Sequence, residues 1–331
     1  MTFQRVKGLQ CFGEEAGGEV NYQTAHVLKQ LNAQNGPTLT QEQTIAAARE
    51  GNALEPFEWK CEADLDVQEL SITHDDRVVA VRVYRPKDKT ENLPALLFIH
   101  GGCWVFCSVA SHDQLCRNYA HALQCAVVSV DYGLAPERPF PHGLLDCAAV
   151  YGALQSGNVK GIDGSRLAVA GDSAGGNLSA TLCCLLKERG LPQPAAQVLL
   201  YPITDISTST RESHQRYPKD YFFALETLQW TSACYVTSQE DRKHPLVSPF
   251  LCEYLSGLAP AHVVIAECDI LRDEGLAYVE RLQRAGVEVE PCLYHGTVHA
   301  FMAMAGAVDL GREAFERSVQ FVAEHWIHKS C

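Results

Sequence analysis

The chain has 331 residues, 47% of them hydrophobic, which supports a large core and suits one α/β sheet carrying a small lid. Forty acidic against 27 basic residues give a formal net charge of −13 with no basic cluster, so a nucleic-acid partner is excluded. No apolar run reaches the length needed to span a bilayer, which argues against stable membrane insertion.

Residues 1–8 lack an apolar core and a cleavage pattern, so a cytoplasmic location is expected. Helical signals follow at residues 21–31 and 40–50, the second headed by the capping-box pattern Thr40-x-x-Gln43. Residues 67–73 and 78–85 alternate like paired strands across Asp75-Asp76, and apolar strands are expected at 95–100 and 126–131. Between these, Ser111-x-x-Gln114 resembles a capping box ahead of a helix bearing Leu115, Tyr119 and Leu123, and residues 143–156 form another amphipathic run. Residues 166–170 make a strand and 177–189 a helix, with further strands at 197–201, 262–266 and 287–294. A last helix carries Phe315, Val319, Val322 and Trp326 on one stripe. Eight strands with interleaved helices specify an α/β fold with a mostly parallel sheet.

The segment Ala170-Gly171-Asp172-Ser173-Ala174-Gly175-Gly176 lies between a strand and a helix and fits the Gly-x-Ser-x-Gly turn that exposes a nucleophilic hydroxyl. Glycines flank the serine because a turn this sharp leaves no room for Cβ atoms. Upstream, an apolar strand runs into His100-Gly101-Gly102, an oxyanion-hole loop, with the N–H of Ala174 as a further donor. Where the serine sits on such an elbow, the acid and base follow it in the order Asp, His. Asp269 directly follows a strand and is favoured as the acid, while Asp273 stands at a helix start and reads as an N-cap. His299 follows the next strand and is favoured as the base over His295.

His100-Gly101-Gly102, Asp131-Tyr132-x-Leu134-Ala135-Pro136-Glu137, Gly171-Asp172-Ser173-Ala174-Gly175-Gly176, Asp269-x-Leu271-Arg272-Asp273-Glu274 and His299-x-Phe301 together resemble the hormone-sensitive lipase family of α/β-hydrolase carboxylesterases, over about residues 65–326. The resemblance implies an eight-stranded α/β-hydrolase sheet with a helical cap, and a catalytic Ser173, Asp269 and His299. It also implies oxyanion N–H groups from Gly101 and Gly102, and a homodimer. Two positions depart from the family pattern: Cys103 replaces a third glycine and Gly133 replaces an arginine. If position 103 takes a left-handed φ, a cysteine there is strained by about 1–2 kcal/mol.

On this reading residues 1–55 and 205–247 form the cap, and residues 56–204 and 248–331 form the core. The insertion supplies aromatic surface for a substrate pocket, with Phe222 and Phe223 as candidates; Trp104 after the oxyanion loop and Met302 after the histidine are the others. The fourteen cysteines include no Cys-x-x-Cys pair, and Cys103 and Cys107 near His100 and His112 are too thin a basis for a metal site. Most are expected to be buried free thiols, with Cys103 alkylation-sensitive if accessible. The expected enzyme needs no cofactor and hydrolyses short to medium acyl esters of small molecules. An amidase or deacetylase using the same triad, and a noncatalytic small-molecule receptor on the same fold, are the alternatives.

Overall fold

The computed structural model describes residues 6–15, 17–33, 41–89 and 92–328; Thr40, head of the first capping-box pattern, lies outside them. In chain order the strands are β1 (Gln10–Phe12), β2 (Leu65–His74), β3 (Arg77–Pro86), β4 (Leu93–Ile99), β5 (Ala126–Asp131), β6 (Ile162–Asp172), β7 (Gln197–Leu200), β8 (Ala261–Cys268) and β9 (Val289–Val298). The α-helices are α1 (Tyr22–Asn32), α2 (Gln41–Glu50), α3 (Asp113–Leu123), α4 (His142–Gln155), α5 (Ala174–Glu188), α6 (Glu212–Arg216), α7 (Leu225–Tyr235), α8 (Arg272–Arg284) and α9 (Asp309–His328).

The strands form one sheet in the order β1-β9-β8-β7-β6-β4-β5-β3-β2. Among the described residues only the β2–β3 and β3–β5 pairs are antiparallel. The central strands are apolar along most of their length because both faces are covered. Leu97, Ile99, Val169, Leu199, Val263 and Ile265 belong to the cluster packed under α4, α5 and α8. Leu96, Phe98, Ala170, Val198, Val264 and Ala266 belong to the other, under α3 and α9. Each fully buried Leu or Val in these layers contributes about 1.5–3 kcal/mol.

The sheet has nine strands among the described residues, one more than the sequence reading expected. The extra strand, β1, pairs in parallel with β9 from Gln10↔Cys292 to Phe12↔Tyr294. Three residues carry too little alternation to register as a strand. What fixes this one is tertiary: Phe12 stacks on Tyr294 with ring centroids 4.9 Å apart, and the Arg317 guanidinium lies 4.0 Å from the Phe12 ring centre.

The first helix begins as expected, with the Asn21 side chain accepting the Thr24 N–H at 2.9 Å. The Ser111-x-x-Gln114 pattern does not form a capping box. Ser111 Oγ closes a local turn, accepting from Ser108 N at 3.0 Å and donating to Ser108 O at 2.8 Å, while Gln114 Oε1 accepts from Cys61 N. Both side chains find partners outside the helix and leave its first turn uncapped. No helix among the described residues is long and apolar enough to cross a membrane.

The insertion between β7 and β8 is rooted in the core by buried polar groups. Asn177 Nδ2 donates to Ile203 O and Val247 O, both at 2.9 Å, tying its two ends to α5. Glu274 Oε1, fully buried on α8, accepts from Thr204 N and Asp205 N. Such buried bonds are expensive to break, since a lost partner leaves a desolvated group unpaired at about 1–3 kcal/mol.

Candidate active site

From β4 the chain moves outward to β5, then returns to the other side of β4 to lay down β6, so the strand succession reverses between β4 and β6. In open α/β sheets the crevice beyond the strand ends at such a reversal is where ligands bind. The loop after β4 starts at His100, and Ser173 directly follows β6. Asp269 follows β8 and His299 follows β9 in the same way. Strand β9 runs four residues further than the sequence reading placed it, to Val298. The β8–β9 register shifts between Ala266↔Tyr294 and Cys268↔Val298, setting two steps of β8 against four of β9, and this bulge delivers His299 beside Asp269.

Ser173 has φ 55° and ψ −117°, a strained turn between β6 and α5. A Cβ at Gly171 would strike the Gly175 carbonyl, and one at Gly175 would strike that of Ile99, so the flanking glycines are required by close backbone approach. The elbow is held by Ser173 N donating to Leu200 O at 2.8 Å. The Ser173 hydroxyl lies 2.9 Å from His299 Nε2, and His299 Nδ1–H donates to Asp269 Oδ2 at 2.7 Å. The other carboxylate oxygen of Asp269 accepts from Leu271 N at 2.9 Å, which fixes its plane. All three side chains are nearly inaccessible.

The oxyanion loop corrects one expectation. Gly101 N–H donates to Asp172 Oδ1 at 2.9 Å, so it is not available to a substrate oxygen. The N–H groups of Gly102, Cys103 and Ala174 donate to nothing among the described residues. Cys103 and the next residue, Trp104, both take left-handed conformations, φ 54° and 60°, each costing about 1–2 kcal/mol. The strain expected at the missing third glycine is therefore present. Tight bonds offset it: Val105 N and Phe106 N both donate to Gly102 O, and Ala135 N donates to Trp104 O.

Behind the elbow, Asp172 faces His112 Nε2 at 3.1 Å. Ser111 Oγ already donates to Ser108 O, so it accepts from His112 Nδ1–H at 2.9 Å. Both nitrogens of His112 thus face acceptors, the arrangement of an imidazolium. Burial opposes its protonation, and the Asp172 carboxylate more than offsets this, raising the His112 pKa. Burial likewise opposes ionisation of Asp172, yet His112 outweighs it and holds the carboxyl below its ordinary range. His100 is buried and pushed down to about 4, so it is neutral; its Nδ1–H donates to Gly101 O.

The chain matches the alpha/beta hydrolase fold model over residues 96–303. It is 39% identical to an ethyl acetate hydrolase of Pseudomonas putida over 264 residues, 78% of this chain and 83% of that protein. It is 37% identical to the carboxylic ester hydrolase LipN of Mycobacterium tuberculosis, over 73% of this chain and 67% of that one. Among solved structures, an ester-hydrolase from the metagenome of Lake Arreo, complexed with a bipyridine phosphonate derivative, superposes with a TM-score of 0.86 at 32% identity. The superposition covers 93% of this chain and 99% of that one.

The chain belongs to the α/β-hydrolase fold family. Within it, this hydrolase groups with the hormone-sensitive lipase-like carboxylesterases. The structure brings Phe223 over the His299 ring, centroids 4.6 Å apart, and sets the edge of Tyr201 at 5.0 Å. Phe222 is 41% exposed and does not share that position. It sits at φ 72° in a strained γ-turn closed by Phe223 N and Tyr221 O, which turns the two rings apart. Trp104 is buried and stacks in parallel on Tyr235 at 4.2 Å, joining the oxyanion loop to α7. Met302 is buried and borders a small cleft shared with His112 and Trp59.

Several rejected or uncertain candidates of the hydrolase also find places. His295 Nδ1 lies 3.2 Å from Glu267, away from Ser173. Asp273 is not an N-cap: α8 begins one residue earlier, and the carboxylate pairs with Arg272 and accepts from Ser213 N at 2.8 Å, anchoring α6. The Gly133 departure is filled by neighbours, because Arg77 reaches Asp146 at 2.6 Å while Gly133 N donates to the same carboxylate. Cys103 is buried, which pushes its thiol up to about 12 and removes the expected alkylation sensitivity. His262, Glu290 and Cys292 bring donor atoms within 4.8 Å of one another. That cluster lies at the start of β8, seven residues or about 23 Å of strand from Asp269, and takes no part in chemistry at Ser173. Sequence reasoning missed Tyr201, the His112–Asp172 pair and the Cys103 N–H. Tyr201 and His112 carry no motif, while Asp172 and Cys103 stand inside quoted motifs whose residue types do not reveal these roles; the fold recruits each of them.

Proposed function

We propose that this hydrolase is a serine carboxylesterase acting on short to medium acyl esters through an acyl-serine intermediate. The observation that carries the proposal is the unbroken chain from Ser173 Oγ through His299 to Asp269, at 2.9 and 2.7 Å. Ser173 attacks the ester carbonyl as His299 Nε2 takes its proton, and His299 then gives that proton to the departing alcohol. Asp269 holds the imidazole tautomer and stabilises the imidazolium. Water, activated by the same histidine, releases the acid. The tetrahedral oxyanion is met by the N–H groups of Gly102, Cys103 and Ala174, each worth about 2.7–4 kcal/mol.

Helices α1 and α2 and the insertion 205–247 act as the cap over a core of residues 56–204 and 248–331, which β1 joins as the edge strand of its sheet, so the N-terminal segment divides between cap and core. Phe223 above His299 leaves little room beside the reacting carbonyl, and the similarity to an ethyl acetate hydrolase supports the same preference for small esters. The thirteen described cysteines are free thiols, which supports a reducing compartment such as the cytoplasm. The test is hydrolysis of a p-nitrophenyl ester series from acetate to palmitate. Wild-type turnover is expected to peak at short chains, and Ser173→Ala to lower kcat by about 10⁴-fold or more with an unchanged melting temperature. Retained turnover in that variant removes the nucleophile assignment; a long-chain optimum removes the substrate assignment.

A further inference from the structure

Arg49, the penultimate residue of α2, lies far in sequence from every catalytic motif, yet its guanidinium is spread across the oxyanion loop. Nε donates to Val105 O at 2.8 Å and Nη2 to Ala135 O at 2.9 Å. The same group forms a two-pronged pair with Glu137, Nη1 to Oε1 at 2.9 Å and Nη2 to Oε2 at 2.8 Å. One side chain therefore joins three segments: a helix of the proposed cap, the loop that follows β4, and the loop that follows β5.

The loop it grips is the strained one. Cys103 and Trp104 stand consecutively at positive φ. The turn closes through Val105 N and Phe106 N onto Gly102 O, and Ala135 N meets Trp104 O. Arg49 takes the carbonyl of Val105 in that turn and the carbonyl of Ala135 in the bracing loop. Only a planar fork with five donors reaches these carbonyls and both carboxylate oxygens together.

We propose that Arg49 is a positioning residue for ester hydrolysis, holding the strained oxyanion loop so that the Gly102 and Cys103 N–H groups converge on the reacting oxygen. A cysteine in the place of the third glycine makes the clamp necessary, because the loop cannot hold this shape without strain. The Arg49 hydrogen bonds hold the Glu137 carboxyl down to about 2, so the pair stays charged at any working pH. The cap then does more than cover the pocket: seating α2 completes the oxyanion hole.

This inference rests on the serine esterase reading, and the experiment separates the two. Steady-state hydrolysis of p-nitrophenyl acetate is measured for wild type, Ser173→Ala, Arg49→Ala, Arg49→Lys and Arg49→Ala combined with Cys103→Gly, with a melting temperature for each. Arg49→Ala is expected to lower kcat by about 10- to 100-fold with KM little changed, as sub-ångström misplacement of reacting groups does. Arg49→Lys, which keeps the charge but not the fork, is expected to fall between. Glycine at 103 relieves the left-handed strain and is expected to recover most of the lost kcat.

A folded Arg49→Ala enzyme with wild-type kcat overturns the proposal. So does a loss confined to KM, or a kcat loss that glycine at 103 leaves untouched. If Arg49→Ala does not fold, Arg49→Lys decides by the same criteria. If wild type shows no Ser173-dependent turnover, the esterase reading itself fails and the proposal falls with it.

Discussion

At the scale of single residues, the site depends on groups that never meet substrate. Asp172 holds the Gly101 N–H and the His112 ring at once, so one carboxylate ties the oxyanion loop and the start of α3 to the nucleophile elbow. The linkage has a definite sign. The raised pKa of His112 gives stability present below the unfolded value of about 6.5 and lost as pH rises through the folded value. The lowered pKa of Asp172 gives stability present above about 3.9 and lost as pH falls through the folded value. The pair is thus fully effective between those limits and weakens on the alkaline side. His112→Gln keeps a donor but not a titratable charge. Urea unfolding of this variant should show about 1.5–3 kcal/mol less stability at pH 6 and a smaller decline toward pH 9 than wild type. An equal decline in both proteins would mean that another group governs the alkaline limb.

At the scale of elements, the proposed function assigns selectivity to the insertion, because its γ-turn presents one of two adjacent aromatics to His299. Phe223→Ala should open space beside His299 and raise kcat/KM for octanoate relative to acetate by roughly tenfold or more, since each methylene accommodated is worth about 1–3 kcal/mol. Phe222→Ala should leave that ratio near the wild-type value. A shift in the Phe222 variant alone would reverse the assignment of the two rings. The elements also divide by how legible they are in sequence. The eight longer strands and the principal helices were readable because burial on two faces writes long apolar runs, and Ser173, Asp269 and His299, which the structure brings together, because each directly follows such a run. What escaped depends on contacts remote in sequence: β1 on the β9 edge, the diversion of Ser111 and Gln114 from capping, and the engagement of Gly101 by Asp172. Glycine count pointed to Gly101 as a donor, but only the folded loop shows which N–H groups are left free.

At the scale of the whole molecule, the two layers of helix around the sheet decide which of the thiols can react. Eight of the thirteen described cysteines are buried, and burial pushes thiols such as Cys103 and Cys183 up to about 12, so these stay protonated and shielded in the native state. The two that test the argument are Cys11, exposed, and Cys252, partly covered. Cys11 is shifted upward by its partial burial and by Glu15 and Glu267. Cys252 is lowered to about 6, first by its hydrogen bond with Cys184, with Arg281 and Lys187 adding to the effect. At pH 7 Cys252 is largely thiolate while Cys11, shifted upward, is largely thiol, and the weaker nucleophilicity of a low-pKa thiolate reduces that advantage without cancelling it. Native labelling with a chromogenic disulfide reagent, followed by peptide mapping, should therefore modify Cys252 before Cys11 and leave Cys116 and Cys183 untouched. Exposure alone predicts the opposite order, so early reaction at Cys11 would show that access rather than ionisation sets the rates. Early reaction at Cys183, on the helix that follows Ser173, would show that α5 opens without global unfolding, which a tightly seated elbow does not permit.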